Sequence, residues 1–326
     1  MTERYGRWQD AMVTQARLLD WTMTPVGLDY LERFFTDMHV KRPTDSGHTV
    51  RMLSRLQVHS LRGEPTYVSH DACELVEHAA QTFQPEPVLP SDPWVPNGFA
   101  LLAKPLHVLD APESDGAPAE HIPIRAVAWA SIHNEDISKG CFWLSYYIDL
   151  DDEIEYAAQA GIKSRWNDNE DDMRRAYAQL TLAHQWQWAW GRSVTDPDYQ
   201  PVGGPGEDPD VLHERARAQA ALFQTLWRIG SQFVAAKERA PRGIWRDANR
   251  KGVEGTDVTV IRLRRARDDA EHEPTGRTFS VQFPVRGYWA RRHTREGVRQ
   301  VWVRPHMKGP EDAPVQITKR VWEFTR

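Results

Sequence analysis

Apolar positions recur at helical spacing from the start of the chain. Tyr5, Trp8, Met12, Ala16 and Leu19 fall three or four residues apart and predict an amphipathic helix. Thr24 followed by Pro25 is a helix-start pair, a hydroxyl that can accept from the first turn and a ring already fixed near helical φ. Leu28, Leu31, Phe35 and Met38 form the stripe of the helix it opens. A third helix is predicted over His48–Leu61, and a fourth behind Ser69, with Ala72, Val76, Ala79 and Phe83 inside.

The period then changes. Gln84–Gly98 carries five prolines and reads as an extended connector. Three strand-like runs follow, Phe99–Leu109, Ile122–His133 and Cys141–Asp149, which suggest a small antiparallel sheet. Between the first two, Asp110–Glu120 has the composition of a loop. Helical patterns return at Glu170–Arg192 and Asp208–Ala236. The second has Asp208 as cap, Pro209 at its first position, and Ala218, Leu222, Leu226, Ile229 and Phe233 along one face. Trp186, Trp188 and Trp190 fall in the first, as the core of a buried helix, or alternatively as a peptide groove, with Trp186 and Trp190 sharing a face. Strands are predicted again at Asp257–Arg265, Arg277–Trp289, Arg299–His306 and Val315–Phe324. The order α, β, α, β predicts an α+β protein. Its expected parts are a mixed body over residues 1–240, with a small antiparallel sheet, and an antiparallel β module over residues 241–326.

Charge sharpens that division. The whole chain carries −5, but the first 240 residues hold 22 basic and 35 acidic side chains, and the remainder 19 and 11. An acidic body and a basic tail suggest two surfaces with different partners. Two cysteines in 326 residues give neither a disulfide framework nor a zinc quartet. Polar residues at Met1–Asp10 and the lack of any run of about 20 apolar residues point to a cytoplasmic protein with no membrane partner. The phosphate-cradling loop, the dinucleotide fingerprint, the zinc-protease HExxH and the Gly-x-Ser-x-Gly elbow do not occur, so no cofactor or metal is expected.

Candidate chemistry concentrates in the tail. Alternation sets Gln282, Arg286 and Tyr288 on one face, and Trp302, Arg304 and His306 on one face of the next strand. Trp289 follows Tyr288, and Arg291, Arg292, His293 and Arg295 are expected in the turn. Guanidinium groups pair with phosphate and aromatic rings stack on unpaired bases, so Arg286, Tyr288, Trp289, Arg291, Arg292, Trp302 and Arg304 are candidate RNA contacts. A solvated basic face with arginine stems over tryptophan rings is the plainer alternative. His293 and His306 are candidate proton-transfer groups if RNA is cut. Enzymatic function stays undecided, with a metal-independent ribonuclease as the only enzymatic reading. In the body, Asp149, Asp151, Asp152, Glu153 and Glu155 form an acidic run. Such a run can receive a basic peptide, hold a cation, or simply be a solvated loop and helix start.

Several of these segments resemble, in order and spacing, a phage-encoded family: the type V-A anti-CRISPR proteins that act on production of the CRISPR effector nuclease, with their relatives in mobile elements. The carrying segments are Leu53-Ser54-Arg55-Leu56 and Leu61-Arg62-Gly63 ahead of the helix at Asp71–Phe83, Asp92-Pro93-Trp94 entering a strand, Arg286-Gly287-Tyr288-Trp289, and Val301-Trp302-Val303-Arg304-Pro305-His306. Tyr288 stands where that family usually has His. The resemblance implies a regulator that recognises the emerging N-terminal peptide of a target on the ribosome, or its RNA, and lowers expression of a host defence protein. A protein-interaction inhibitor without RNA contact is the third reading.

Overall fold

A computed structural model describes residues 5–39, 46–110, 120–133, 140–161, 179–196, 199, 209–232, 236–262, 280–285, 288–294, 297–303, 306–310 and 313–315. Helices α1 (Asp10–Thr22), α2 (Pro25–His39) and α3 (Ser46–Ser60) open the chain, followed by β1 (Glu64–Val68), α4 (His70–Ala80) and β2 (Asn97–Asp110). Next come β3 (Glu120–Ile132), β4 (Cys141–Asp149), α5 (Leu150–Ala160), β5 (Leu180–Ala189) and α6 (Pro209–Gln232). The last elements are β6 (Ala236–Arg239), α7 (Arg242–Arg250), β7 (Asp257–Ile261), β8 (Phe283–Val285), β9 (Tyr288–Thr294), β10 (Gly297–Val303) and β11 (His306–Lys308). The α+β expectation holds. No helix among the described residues is long and apolar enough to cross a membrane.

Seven strands form one mixed sheet in the order β5-β4-β3-β2-β1-β7-β6. β1 pairs in parallel with β2 on one side and β7 on the other, and the remaining pairs are antiparallel. The sheet is therefore larger than the three strand-like runs suggest. It also crosses the expected boundary at residue 240, because β7 adds directly to β1.

Both sheet faces are covered. Val68, Leu102, Val127, Trp129, Phe142, Leu144 and Tyr146 pack with α4 and α6. The alternate residues Tyr67, Phe99, Leu101, Ala126, Ala128, Trp143 and Tyr147 pack with α1, α2, α3 and α7. Two-sided burial explains why β4 is buried at every position and reads as a nearly unbroken apolar run.

Local expectations hold in most helices. The Thr24 hydroxyl accepts from the Gly27 N–H at 3.1 Å, capping α2, whose Leu31 and Phe35 are buried. Ser69 takes the N-cap position of α4 in extended conformation, without a side-chain cap bond. Residues 180–189 overturn the expected helix at Glu170–Arg192: they are the edge strand β5. Trp186 and Trp188, two residues apart, lie on one sheet face with rings stacked at 5.1 Å. Trp188 and Trp190 are buried in the same core, against α6.

Candidate functional site

The acidic run becomes an internal tie. Asp149 ends β4 and caps α5, accepting the Asp151 backbone N–H at 2.9 Å. It also accepts a hydrogen bond from the Tyr5 hydroxyl, 144 residues away in sequence. Burial and the adjoining Asp149 carboxylate push the Tyr5 phenol well above its ordinary range. Asp152 receives Arg125 through two bonds, from Nε at 2.6 Å and Nη2 at 2.7 Å. Arg125 is itself buried; its Nη1 donates to the Leu102 and Ala103 carbonyls, and its guanidinium lies over the Tyr5 ring. Glu153 is buried as well. Of the five carboxylates expected to face a basic peptide, Asp149, Asp152 and Glu153 are thus turned inward. Asp151 is half-buried, and Glu155 is exposed.

The described tail strands form two separate two-stranded antiparallel ladders. β9 pairs β10 with Trp289 opposite Trp302, Tyr288 opposite Val303 and Arg292 opposite Arg299. β8 pairs β11, with Val285 opposite His306. Arg286 and Arg304 lie outside the described residues. Arg291, Arg292 and His293 are strand residues, not turn residues, since Thr294 pairs Gly297 directly across the turn. Tyr288 and Arg292 occupy positions of one parity along β9, while Trp289, Arg291 and His293 occupy the other. His293 sits near the turn and His306 in the other ladder. The five residue steps from Val298 to Val303 alone span about 17 Å, so register does not bring the two histidines together. β8 and β11 run against the core, where Met307 and Val315 pack.

A different basic site emerges between the sheet and the helical layer. β6 ends at Arg239, Ala240 is buried, and Pro241 occupies the N-cap position of α7. α7 has the sequence Arg-Gly-Ile-Trp-Arg-Asp-Ala-Asn-Arg. Ala248 is buried, and Ile244 and Trp245 pack partly on the core shared with α1 and α3. Helical spacing then turns Arg242 and Arg246, four residues apart, outward together. Arg239, Ala240, Arg242, Trp245 and Arg246 line a shallow cleft of about 480 Å³.

The electrostatics of this cleft are one-sided. Nearby carboxylates are already engaged: Glu238 by Arg262 at 3.2 Å, and Asp247 by Arg250 at 3.0 Å and Lys251 at 3.0 Å. The contacts from Lys251 and Arg250 hold the Asp247 carboxyl below its usual range. Among the described residues, Arg239, Arg242 and Arg246 have no carboxylate within ion-pair distance; Arg246 lies 5.8 Å from the Trp245 ring centre. Three exposed cations around a half-buried indole suit a phosphate-bearing aromatic ligand.

The sequence pattern alone did not single out these four side chains, because the tail's regular structure was expected to begin at Asp257. The signal was present: Pro241 ahead of an Arg-x-x-x-Arg pair with Trp245 between. A smaller polar cluster joins α4 to β2, where Glu77 meets His107 Nδ1 at 3.1 Å and Lys104 Nζ at 3.2 Å. The His107 hydrogen bond, assisted by Lys104, lowers the Glu77 carboxyl to about 2. Cys73, one turn before Glu77, is buried, and desolvation pushes its thiol up to about 12. Among the described residues no group of His, Cys, Asp and Glu is arranged to hold a metal ion.

Comparison of the chain with protein-family models, curated proteins and solved structures gives no match.

Proposed function

We propose that the protein binds RNA, with the α7 cleft as its principal contact. The observation that carries this reading is the set of three arginines, Arg239, Arg242 and Arg246, that surround Trp245 without a carboxylate partner among the described residues. Phosphates would pair with the guanidinium groups, and an unpaired base would stack on the indole for about 1–3 kcal/mol. The net positive charge of residues 241–326 would add a longer-range attraction for a polyanion. The resemblance to the type V-A anti-CRISPR family supplies a setting for such binding, as a regulator that lowers expression of a host defence protein.

The test is a binding titration of purified protein into labelled single-stranded RNA at two salt concentrations. R242E/R246E should weaken binding by at least about tenfold and flatten the salt dependence, since each lost phosphate contact reduces the slope. Wild-type protein without salt-sensitive RNA affinity would overturn the proposal.

A further inference from the structure

We infer that the α7 cleft takes the polyphosphorylated 5′ end of an RNA rather than its interior. The inference rests on the RNA reading above and deepens it. An internal strand offers one negative charge per nucleotide, spread along its length, and is matched by cations strung along a groove. Here three cationic side chains surround one cleft of about 480 Å³, the size of a single small-ligand site. A terminal triphosphate concentrates several charges in that space, and each phosphoryl group can accept two N–H bonds from a planar guanidinium.

The remaining walls fit the first nucleoside. Trp245 is half-buried and held on the core side by packing with the α1–α3 layer, which limits its freedom before a base arrives. Glu238 and Asp247, the carboxylates that would repel an anion, are each occupied by cations outside the cleft lining. Ala240 gives its N–H to the Thr256 carbonyl at 2.8 Å, which pins the β6–α7 corner that sets Arg239 against Arg242.

The experiment compares one short RNA sequence, labelled at its 3′ end, with a 5′-triphosphate, a 5′-monophosphate or a 5′-hydroxyl. Free guanosine triphosphate serves as a further ligand. The triphosphate RNA should bind about tenfold or more tighter than the hydroxyl form, the worth of one added charge-assisted pair. R242A and R246A should erase that difference, while W245A should weaken both forms; thermal melts confirm that the variants fold. Equal affinity for all three ends, lost in R242A/R246A, would overturn the end-specific reading and leave RNA binding intact. Free nucleotide binding as tightly as the triphosphate RNA would also overturn it, making the ligand a nucleotide. No binding of any RNA would overturn both readings.

Discussion

The substitution Asp152→Asn tests whether the acidic run is an internal anchor. Arg125 is 6% exposed and spends its donors on four acceptors, two from Asp152 and the Leu102 and Ala103 carbonyls. A neutral amide in place of the carboxylate would leave the carbonyl bonds intact but strand a buried cation. Removing one partner of a buried pair costs about 3–5 kcal/mol. The lower end applies here, about 3 kcal/mol, because the Asp152 side chain is 16% exposed and water can reach the site. The double change R125M/D152L removes both charges and should be less destabilising than D152N alone, since the pair's net worth against apolar packing is near zero. Urea unfolding followed by far-UV circular dichroism and tryptophan fluorescence would read both, provided the two transitions coincide. D152N within about 0.5 kcal/mol of wild type, the range of ordinary surface changes, would refute the anchor and return the run to the surface.

Acid should expose the Glu77 pairing. Its folded carboxyl is depressed from 4.5 to about 2, so the stability it adds is present above pH 4.5 and is lost as pH falls towards 2. E77Q should therefore flatten the acid limb of a stability–pH profile in that window, and an unchanged limb would contradict the pairing. Trp227 is fully buried on α6 against Trp129, Phe142, Trp188 and Phe223. W227A should cost about 3–5 kcal/mol in denaturant unfolding, and a loss under about 1 kcal/mol would mean a loosely packed centre. Gly63 lets the turn into β1 approach β2: an added Cβ would stand 2.4 Å from the Gly98 nitrogen. G63A should therefore lower the melting temperature by several degrees even though alanine is the gentler residue for most backbones, and an unchanged melt would show that the two strands can separate.

Long elements with one dominant period were legible in the sequence. The stripe of α6 and the apolar run of β4 each state their own structure, and Thr24-Pro25 states where α2 begins. Shorter or doubly interpretable segments were not. β1 is five residues long, contains Pro65, and owes its conformation to β2 and β7 on either side. In β5 the spacing of Trp186 and Trp188 was the strand period itself, continued by Trp190 just past its end, but their bulk and the length of the surrounding pattern suggested a buried helix. Composition placed a boundary near residue 240, whereas hydrogen bonding places β7 in the main sheet. The acidic run misled for a related reason: its principal cation, Arg125, lies 27 residues earlier and adjoins it only once β3 and α5 are packed. The candidate RNA site was visible as excess charge but not as a place. Only the packing of α7 separates Arg242 and Arg246 from Arg250, which is spent on Asp247.

The central claim is that RNA meets this protein at α7. Ultraviolet cross-linking of bound RNA, followed by mass spectrometry of the digested protein, tests it most directly. Cross-linked peptides should span Arg239–Arg250, with Trp245 as the attachment point, and should be lost in R242E/R246E. Cross-links confined to residues 286–306, or none at any RNA concentration, would contradict it.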